Sequence, residues 1–248
     1  MTYPKPLFIA RTASTNSFLD ELCNRQALPE LTCIYTAFQS AGRGQRGNSW
    51  ESEDGKNLLF SFVLFPHFLP IHHQFLLSEI TALALQEALS AYTEGITIKW
   101  PNDIYWHDRK LCGTLIENDW TGNRVSRSIS GTGVNLNQER FVSDAPNPVS
   151  LYQITGKNYD AQEILLQILE RVADYYRRLQ AGDEATIVGH YLSRLYRREG
   201  LHPYQDAAGK FRARIVEVEP TGRLVLEDEH QQLRSYYFKE VTYLSEQP

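Results

Sequence analysis

Three short segments contain the residues that could do chemistry. Gly42–Trp50 (G-R-G-Q-R-G-N-S-W) is a glycine loop with two cations, Lys99–Asp103 (K-W-P-N-D) places a lysine, an amide and a carboxylate together, and Gly131–Asn137 (G-T-G-V-N-L-N) is a second glycine turn that ends in amides. Glycines let backbone N–H groups turn toward one anion, and arginines add charge-assisted hydrogen bonds to phosphates. Such a site can hold ATP together with a second small polar substrate.

The first segment also has the spacing G-x-G-x-x-G, so a dinucleotide-binding turn must be considered. That turn needs a preceding strand, a helix directly after it and an acidic residue about 20 residues on. Residues 31–38 could supply the strand, but residues 57–65 predict another strand rather than a helix, and Pro66–Phe68 offers no acid. A Walker A loop is excluded because no G-K-[ST] follows. We therefore do not expect a dinucleotide site.

Each candidate residue also has a structural interpretation that is the more common one in isolation. Gln39 alone would be a surface glutamine, Trp50 and Trp100 would be core residues, and Lys110 would be a solvated lysine on a strand edge. A single glycine loop is more often a surface turn. Three such segments in one chain favour a binding site, whose walls Trp50 and Trp100 could form.

Hydrophobic periodicity predicts the elements that must position these segments. Helices are expected from a cap at Ser14 or Thr15 to about Asn24, over about 72–91, after Asp160 and over about 183–198. Strands are expected at about 31–38, 57–65, 95–100, 103–106, 110–118, 124–135, 211–218, 222–227 and 233–244. Asp160 with Glu163 has the pattern of a capping box.

This order of elements predicts an α+β fold. Residues 1–198 are expected to form one domain with a mixed or antiparallel sheet and flanking helices, and residues 199–248 a small C-terminal β-barrel, with the break near Arg197–Tyr204. A length of 248 residues suits one large domain with a small one attached. A hydrophobic fraction of 42% and a charged fraction of 22% are those of an ordinary globular protein.

The order and content of the segments resemble the biotin protein ligase family. The matching motifs are S-T-N at Ser14–Asn16, Q-x-x-G-R-G-x-x-G-x-x-W from Gln39 to Trp50, K-W-P-N-D at Lys99–Asp103, the lysine of R/K-K-x-x-G at Lys110, and G-x-G-x-N-x-N at Gly131–Asn137. They run in the family's order from about residue 10 to 137, and the tail after about residue 200 looks like the family's small β-domain. The resemblance implies a class II synthetase-like catalytic domain followed by an SH3-like β-barrel.

The resemblance also implies roles for individual residues. It assigns catalysis to Lys110, Asp103 and Arg43. Biotin would be bound by Ser14, Thr15, Asn16, Gln39, Gly42, Arg43, Gly113 and Gly131. ATP or the adenylate would be bound by Arg43, Gly44, Gln45, Arg46, Trp50, Asn102, Lys110, Val134 and Asn135. No residue is assigned to a metal ion.

The implied reaction has two steps, with biotin and ATP as substrates. Biotin's carboxylate attacks the α-phosphorus, which gives biotinyl-5′-AMP and pyrophosphate, and a lysine of a biotin carboxyl carrier protein then attacks the mixed anhydride and releases AMP. Lys110 would bridge the biotin carboxylate and the α-phosphate, Arg43 and Arg46 would hold phosphates, and Mg²⁺ would neutralise the leaving pyrophosphate. Asp103 would orient or deprotonate the acceptor lysine.

The chain departs from the family pattern in two places. Many members carry arginine where this chain has Gln45 and Asn48, so only Arg43 and the neighbouring Arg46 are kept and the adenylate is expected to be held less tightly. Larger members have an N-terminal winged-helix repressor domain. Here the S-T-N motif begins at residue 14, and a short form without that domain is expected.

Two alternatives have the same motifs in part: a ligase for lipoate or another carboxylic acid, and a non-enzymatic biotin-binding regulator or scaffold. A net charge of −5 gives no overall basic footprint for DNA.

The odd, sparse set of Cys23, Cys33 and Cys112 favours a reducing cytoplasm. No apolar run approaches the roughly 18 residues of a membrane span, and the adjacent His72 and His73 lack partners at metal-ligand spacing. The sequence leaves a homodimer open.

Overall fold

The computed structural model describes residues 3–44, 49–143 and 146–245, which form two β-sheets with helices packed on the larger one. The larger sheet has the strand order β1-β2-β3-β7-β6-β5-β4. Its strands are β1 (Leu7–Thr12), β2 (Cys33–Gln39), β3 (Leu58–Leu64), β4 (Ile96–Lys99), β5 (Asp103–Trp106), β6 (Arg109–Thr121) and β7 (Arg124–Val134). Only β1 and β2 pair in parallel among these strands. The sheet is therefore mixed, as expected.

The helices are α1 (Thr15–Arg25), α2 (Phe75–Ser90), α3 (Leu151–Thr155), α4 (Ala161–Gln180) and α5 (Glu184–Ser193). Helix α2 is apolar on nearly every side and lies between the sheet and the helices α4 and α5, as a helix without a polar face must. Helix α4 is amphipathic, and Asp160 caps it by accepting from the backbone N–H groups of Gln162 and Glu163. Among the helices of the described residues, none is long and apolar enough to cross a membrane.

The smaller sheet has the strand order β11-β10-β9-β8-β12, with all neighbours antiparallel. Its strands are β8 (His202–Asp206), β9 (Gly209–Val218), β10 (Leu224–Asp228), β11 (Leu233–Tyr236) and β12 (Thr242–Tyr243). This sheet is consistent with the SH3-like barrel that the resemblance implies. One buried apolar cluster includes side chains of both sheets. The domain boundary after residue 198 stays a prediction.

Several elements differ from the sequence-based expectation, each for a local reason. Strand β1 was not expected because its apolar residues do not alternate cleanly, and β8 was not expected because it contains Pro203, which cannot donate to a ladder. The strand expected over 233–244 is interrupted by Lys239, whose φ is +74°. The short helix α3 was also missed. It forms because Ser150 and Gln153 make a reciprocal capping box.

The third glycine segment is not a turn. Gly131 and Gly133 lie inside β7, in the middle of the larger sheet, and β7 pairs with β3 on one side and β6 on the other. Glycine weakens a strand unless another group must approach the backbone closely. The two glycines therefore indicate that side chains from elsewhere lie directly on this face of the sheet.

Candidate functional site

A cavity of about 770 Å³ opens where the N-terminus of α1, the end of β2 and the start of β5 meet the middle of β6 and β7. Thirteen of the predicted site residues line it: Ser14, Thr15, Asn16, Gln39, Arg43, Gly44, Trp50, Asn102, Asp103, Lys110, Gly113, Gly131 and Asn135. The predicted residues Gln45 and Arg46 lie outside the described part of the chain. The motifs are thus gathered into one place although they are separated by up to about half of the chain.

Two predicted residues, Gly42 and Val134, do not line the cavity. The Val134 side chain is fully buried in the core, on the opposite face of β7 from Gly133. Gly42 packs under the loop, because a Cβ there would lie 2.9 Å from the Trp50 carbonyl oxygen and 3.3 Å from Gln39 Nε2. The structure therefore places no side chain of either residue in the cavity, and Gly42 allows the close passage of two chain segments. A role of their backbone groups in binding stays a prediction.

Thr15, Asn16 and Gln39 form one end of the cavity, here called the amide end. Ser14 occupies the N-cap position of α1, but its side chain makes no capping hydrogen bond, contrary to expectation. Gln39 performs that function from the end of β2: its Oε1 accepts from the Thr15 backbone N–H at 2.7 Å and from the Thr15 hydroxyl at 3.0 Å. These bonds orient the Gln39 amide, with its nitrogen near Gly42.

Ser61 is a site residue that the sequence analysis missed. Its hydroxyl is fully buried on β3 and lies 2.7 Å from the Thr15 hydroxyl and 2.6 Å from Asn16 Oδ1. The available signal was a single hydroxyl in the otherwise apolar strand L-L-F-S-F-V-L. A buried hydroxyl needs a partner, so Ser61 supports the amide end from below.

The backbone of Gly113 and Gly133 forms a flat surface, here called the glycine seat. The two glycines face each other across β6 and β7. The Trp50 indole lies on them: a Cβ at Gly113 would be 2.7 Å from Trp50 Cζ3, and a Cβ at Gly133 would overlap the ring nitrogen and its neighbours. Trp50 Nε1 is buried without a hydrogen-bond partner in the described residues. The seat therefore requires glycine, and it holds a planar ring.

Lys110 and Asp103 form the other end of the cavity, here called the lysine end. Strand β5 begins at Asp103 and β6 contains Lys110 as its second residue, and the hairpin between them brings Lys110 Nζ to 2.6 Å from Asp103 Oδ2. About 31% of the lysine side chain and 28% of the aspartate side chain are exposed, so both can meet a ligand. Lys110 Nζ also lies 5.9 Å from the centroid of a Trp50 ring.

The K-W-P-N-D motif is divided between the cavity and the contact with the smaller sheet. Lys99 does not reach the cavity: Nζ donates to the Tyr105 hydroxyl at 3.1 Å and lies over the rings of Tyr105 and Tyr243. Burial lowers the pKa of Lys99, although the charge of nearby Asp103 opposes that shift. The lysine of this motif therefore anchors the sheets rather than binding a phosphate. The structure therefore separates Lys99 from Asn102 and Asp103, which the sequence analysis had placed in one site.

Trp100 also joins the two sheets instead of forming a wall of the site. Its indole is 5% exposed, and Nε1 donates to the Gly222 carbonyl oxygen at 3.0 Å. The ring of Phe238, from the segment between β11 and β12, packs edge-on against Trp100 and lines the cavity. The segment between two strands of the smaller sheet thus contributes Phe238 to the site, a contribution that no local motif indicated.

Two asparagines lie beside the lysine end. Asn102 is buried, and its Nδ2 donates to the Ser78 hydroxyl of α2 at 3.0 Å, so one of its two N–H donors is already in use. Asn135 donates from Nδ2 to the Val149 carbonyl oxygen, while its buried Oδ1 has no hydrogen-bond partner in the described residues. An unsatisfied buried oxygen beside a cavity can accept a hydrogen bond from a ligand or from a metal-bound water.

The described residues contain no group of three or more His, Cys, Asp or Glu side chains that could hold a resident metal ion. Mg²⁺ in nucleotide sites commonly arrives with substrate phosphates and needs only one or two protein oxygen ligands. Asn135 Oδ1 and the Asp103 carboxylate are oxygen donors of that kind on the cavity wall. The residues present therefore fit a metal ion that enters with a nucleotide.

The amide end and the lysine end are separated by a short, defined distance. The Asn16 side chain contacts Gly131, and Trp50 with Lys110 lies at the glycine seat two residues further along β7. Two residues of strand span roughly 7 Å. The cavity can therefore bind a molecule with an uncharged hydrogen-bonding head at one end and an anionic tail at the other.

Comparison with known proteins identifies a family that this chain matches. Residues 8–135, just over half of the chain, match the model of the biotin/lipoate A/B protein ligase family. The bifunctional ligase/repressor BirA of Bacillus subtilis is 34% identical over 176 residues, which cover 66% of this chain and 52% of BirA. The biotin–[acetyl-CoA-carboxylase] ligase of Paracoccus denitrificans is 32% identical over 196 residues, which cover 76% of this chain and 80% of that protein.

Solved structures agree with the sequence comparison. The biotin protein ligase from Aquifex aeolicus, in complex with biotin and ATP, superposes with a TM-score of 0.79 at 26% identity, covering 97% of this chain and 98% of that chain. The chain spans about half the length of the BirA proteins that it matches. The family model, these relatives and the shared fold lead to one conclusion: the chain belongs to the biotin/lipoate A/B protein ligase family.

Proposed function

We propose that this protein is an ATP-dependent ligase that activates biotin as biotinyl-5′-AMP and transfers the biotinyl group to a lysine of a biotin carboxyl carrier protein. The observation that carries the proposal is the polarity of the cavity. Uncharged donors and acceptors form the amide end, and a lysine held by a carboxylate forms the other end. Biotin has the same polarity, with a ureido ring at one end and a carboxylate at the other.

The amide end suits the ureido ring because that ring needs both donors and acceptors. Thr15, Asn16 and Gln39 supply hydroxyl and amide groups whose orientations are set by hydrogen bonds to one another and to Ser61. A site built to hydrogen-bond such a head group strongly rejects analogues that lack it, because its own buried groups are then left unpaired. This supports biotin over lipoate, whose ring is an apolar disulfide.

The lysine end suits the first chemical step, in which an anion must approach a polyanion. An oxygen of biotin's carboxylate attacks the α-phosphorus, and the bond from that phosphorus to the bridging oxygen of pyrophosphate breaks. Lys110 stabilises the charge that gathers on the α-phosphate oxygens, and the ion pair with Asp103 places its Nζ before the ligand arrives. Arg43, at the cavity rim, adds a second cation. Mg²⁺ carried in by ATP would neutralise the pyrophosphate.

The second step needs an uncharged amine at the carbonyl carbon of the mixed anhydride. The acceptor lysine attacks that carbon, AMP leaves, and the amine loses a proton. Asp103, the carboxylate of the lysine end, orients the incoming ammonium group and takes its proton. Trp50 and Phe238 line the cavity with apolar rings, which limit the access of water to the anhydride.

The activity itself is the first test. Purified protein with ATP, Mg²⁺ and biotin is expected to label a biotin carboxyl carrier domain on its acceptor lysine, which a streptavidin blot detects. A carrier with that lysine replaced by arginine should stay unlabelled, as should a reaction without ATP. Unlabelled wild-type carrier, with enzyme that is folded by circular dichroism, would contradict the proposal.

Calorimetry separates biotin from the other acids that the family accepts. We expect heat of binding with biotin and at least about 100-fold weaker binding of lipoate, since each buried hydrogen-bonding group left unpaired costs about 1–3 kcal/mol. Tighter binding of lipoate would reassign the substrate. Biotin binding without ATP–pyrophosphate exchange would instead favour the non-enzymatic regulator.

Gln45 supplies a prediction on the stability of the intermediate. It stands where the family resemblance implies arginine in many members, in the part of the loop outside the described residues. A charge-assisted hydrogen bond contributes about 1.5–3 kcal/mol and a neutral one about 0.5–1.5 kcal/mol. Gln45→Arg is therefore expected to slow the release of biotinyl-AMP by about tenfold. Radiolabelled biotinyl-AMP released after rapid dilution measures this, and equal rates in the two proteins would show that Gln45 does not contact the intermediate.

A further inference from the structure

Glu117 lies on β6 outside the cavity wall, and its carboxylate binds two residues of the site at once. Arg43 NH1 donates to Oε1 at 3.0 Å and NH2 donates to Oε2 at 2.8 Å, so the arginine is held in a bidentate pair. Asn16 Nδ2 donates to the same Oε2 at 2.8 Å. One carboxylate therefore connects the amide end with the loop cation, although the sequence analysis gave Glu117 no role.

The bond to Glu117 determines which way the Asn16 amide points. Carboxylate and carbonyl oxygens only accept hydrogen bonds, and Asn16 Nδ2 faces Glu117 Oε2 and, at 3.4 Å, the Leu115 carbonyl oxygen. The amide oxygen must then face the Ser61 hydroxyl, as it does at 2.6 Å. Without the carboxylate, one of the two acceptors that specify this orientation is lost.

The bond to Arg43 has a different character because it is easily exchanged. The side chains of Arg43 and Glu117 are 44% and 43% exposed, and an ion pair with that exposure contributes only about 0–1 kcal/mol. The phosphate of an acyl-adenylate offers the guanidinium the same bidentate geometry with the same single negative charge. Arg43 in this structure points to Glu117 beside the amide end rather than to the lysine end.

We propose that Glu117 is a positioning residue with two linked tasks: it orients the Asn16 amide for the head group of the substrate, and it holds Arg43 until the phosphate of the acyl-adenylate replaces it. The inference rests on the proposed function, since it takes the ligand to be a biotinyl group joined to a phosphate. Glu117 itself touches neither. It acts through Asn16 and Arg43.

Two variants separate the tasks. In Glu117→Gln the side-chain oxygen can still accept from Asn16, but the new amide nitrogen faces Arg43 NH1. The charge of the ion pair and one of its two hydrogen bonds are therefore lost, so the arginine is held less firmly while Asn16 stays oriented. In Glu117→Ala both bonds are lost. Asp119→Asn is the matched control, because Asp119 lies two residues along the same strand and pairs with Arg127 through Oδ2 at 2.7 Å.

Calorimetry with biotin and with biotinol-AMP, a non-hydrolysable analogue of the intermediate, gives the readouts. For Glu117→Gln we expect the biotin Kd to stay within about threefold of wild type. We expect the Kd of biotinol-AMP to fall by about threefold to fivefold, because Arg43 no longer has to break a half-exposed ion pair worth up to about 1 kcal/mol. For Glu117→Ala we expect the biotin Kd to rise by at least about tenfold. Asp119→Asn should change neither constant.

A double-mutant cycle distinguishes this role from general support of the fold. The tighter binding of biotinol-AMP by Glu117→Gln should disappear in an Arg43→Ala background, whereas a loss of fold stability would act equally in both backgrounds. Unchanged or weaker biotinol-AMP binding by Glu117→Gln overturns the proposal, as does wild-type biotin affinity in Glu117→Ala. Wild-type protein that binds no biotin would refute the proposed function instead. Glu117→Gln is nearly isosteric, so the cycle stands even if Glu117→Ala does not fold.

Discussion

Replacing Lys110 with alanine is expected to lower the rate of biotin adenylation by at least about 100-fold while the fold survives. Loss of one preorganised charge at a developing anion costs about 2.7–4 kcal/mol in the transition state. The folded state loses much less, because the partly exposed Lys110–Asp103 pair contributes about 0–1 kcal/mol to stability. Biotin-dependent ATP–pyrophosphate exchange measures the rate, and thermal unfolding measures the stability.

Arg109→Ala is the matched control for Lys110→Ala. Arg109 precedes Lys110 on β6, so its side chain leaves the strand on the other face, where it donates to the Pro148 carbonyl oxygen at 2.8 Å. Its removal is expected to leave the exchange rate within about threefold of wild type. Near-normal exchange in folded Lys110→Ala protein would show that Lys110 is only an edge lysine.

Replacing Gly131 with alanine is expected to have an effect as large as that of Lys110→Ala, namely a rise of at least about 100-fold in the biotin Kd. A Cβ at this position would overlap Asn16 Oδ1. Asn16 cannot move aside easily, because it is 3% exposed and is held by Ser61 and Glu117. Each buried hydrogen bond that breaks costs about 1–3 kcal/mol, and about 1.4 kcal/mol is tenfold in Kd. Two broken bonds account for the expected loss, which calorimetry measures.

Gly189→Ala adds the same atom where there is room for it. Gly189 lies in α5, and a Cβ there would meet nothing within 4 Å. Since alanine is the better helix former by about 1 kcal/mol, this variant is expected to keep the biotin Kd and to melt at or above the wild-type temperature. If folded Gly131→Ala protein bound biotin within about threefold of wild type, the contact between Asn16 and β7 would not belong to the biotin site.

The regular elements with a strong periodic pattern could be predicted from the sequence, and those without one could not. Helices α2 and α4 are long, and strand β3 is apolar except for Ser61, so burial alone specifies them. Strand β1 has no such pattern. It exists because β2 offers it a parallel neighbour, with Leu7 opposite Ile34. A pairing partner that is distant in sequence is information that a local pattern lacks.

The identities of the motif residues were likewise determined by the sequence, but their division of labour was not. The resemblance of the motifs to those of a known family indicated Lys110, Asp103 and Asn16, and the structure places all three on one cavity. The sequence was not sufficient to separate Lys99, which packs on Tyr105 and Tyr243, from Asp103 four residues later, which lines the cavity. Lys99 and Asp103 lie opposite each other on β4 and β5, so their side chains start on the same face of the sheet. Only the tertiary structure shows that the lysine turns to Tyr105 and Tyr243 while the carboxylate pairs with Lys110.

Chemistry that depends on residues far apart in sequence was decided by the tertiary structure alone. Ser61 reaches Asn16 from β3, Glu117 reaches Asn16 and Arg43 from β6, and Phe238 reaches the cavity from the segment between β11 and β12. None of these residues belongs to a motif. A serine, a glutamate and a phenylalanine are common in any chain, and each gains its role here only from what the packing of the sheets places within hydrogen-bonding or contact distance.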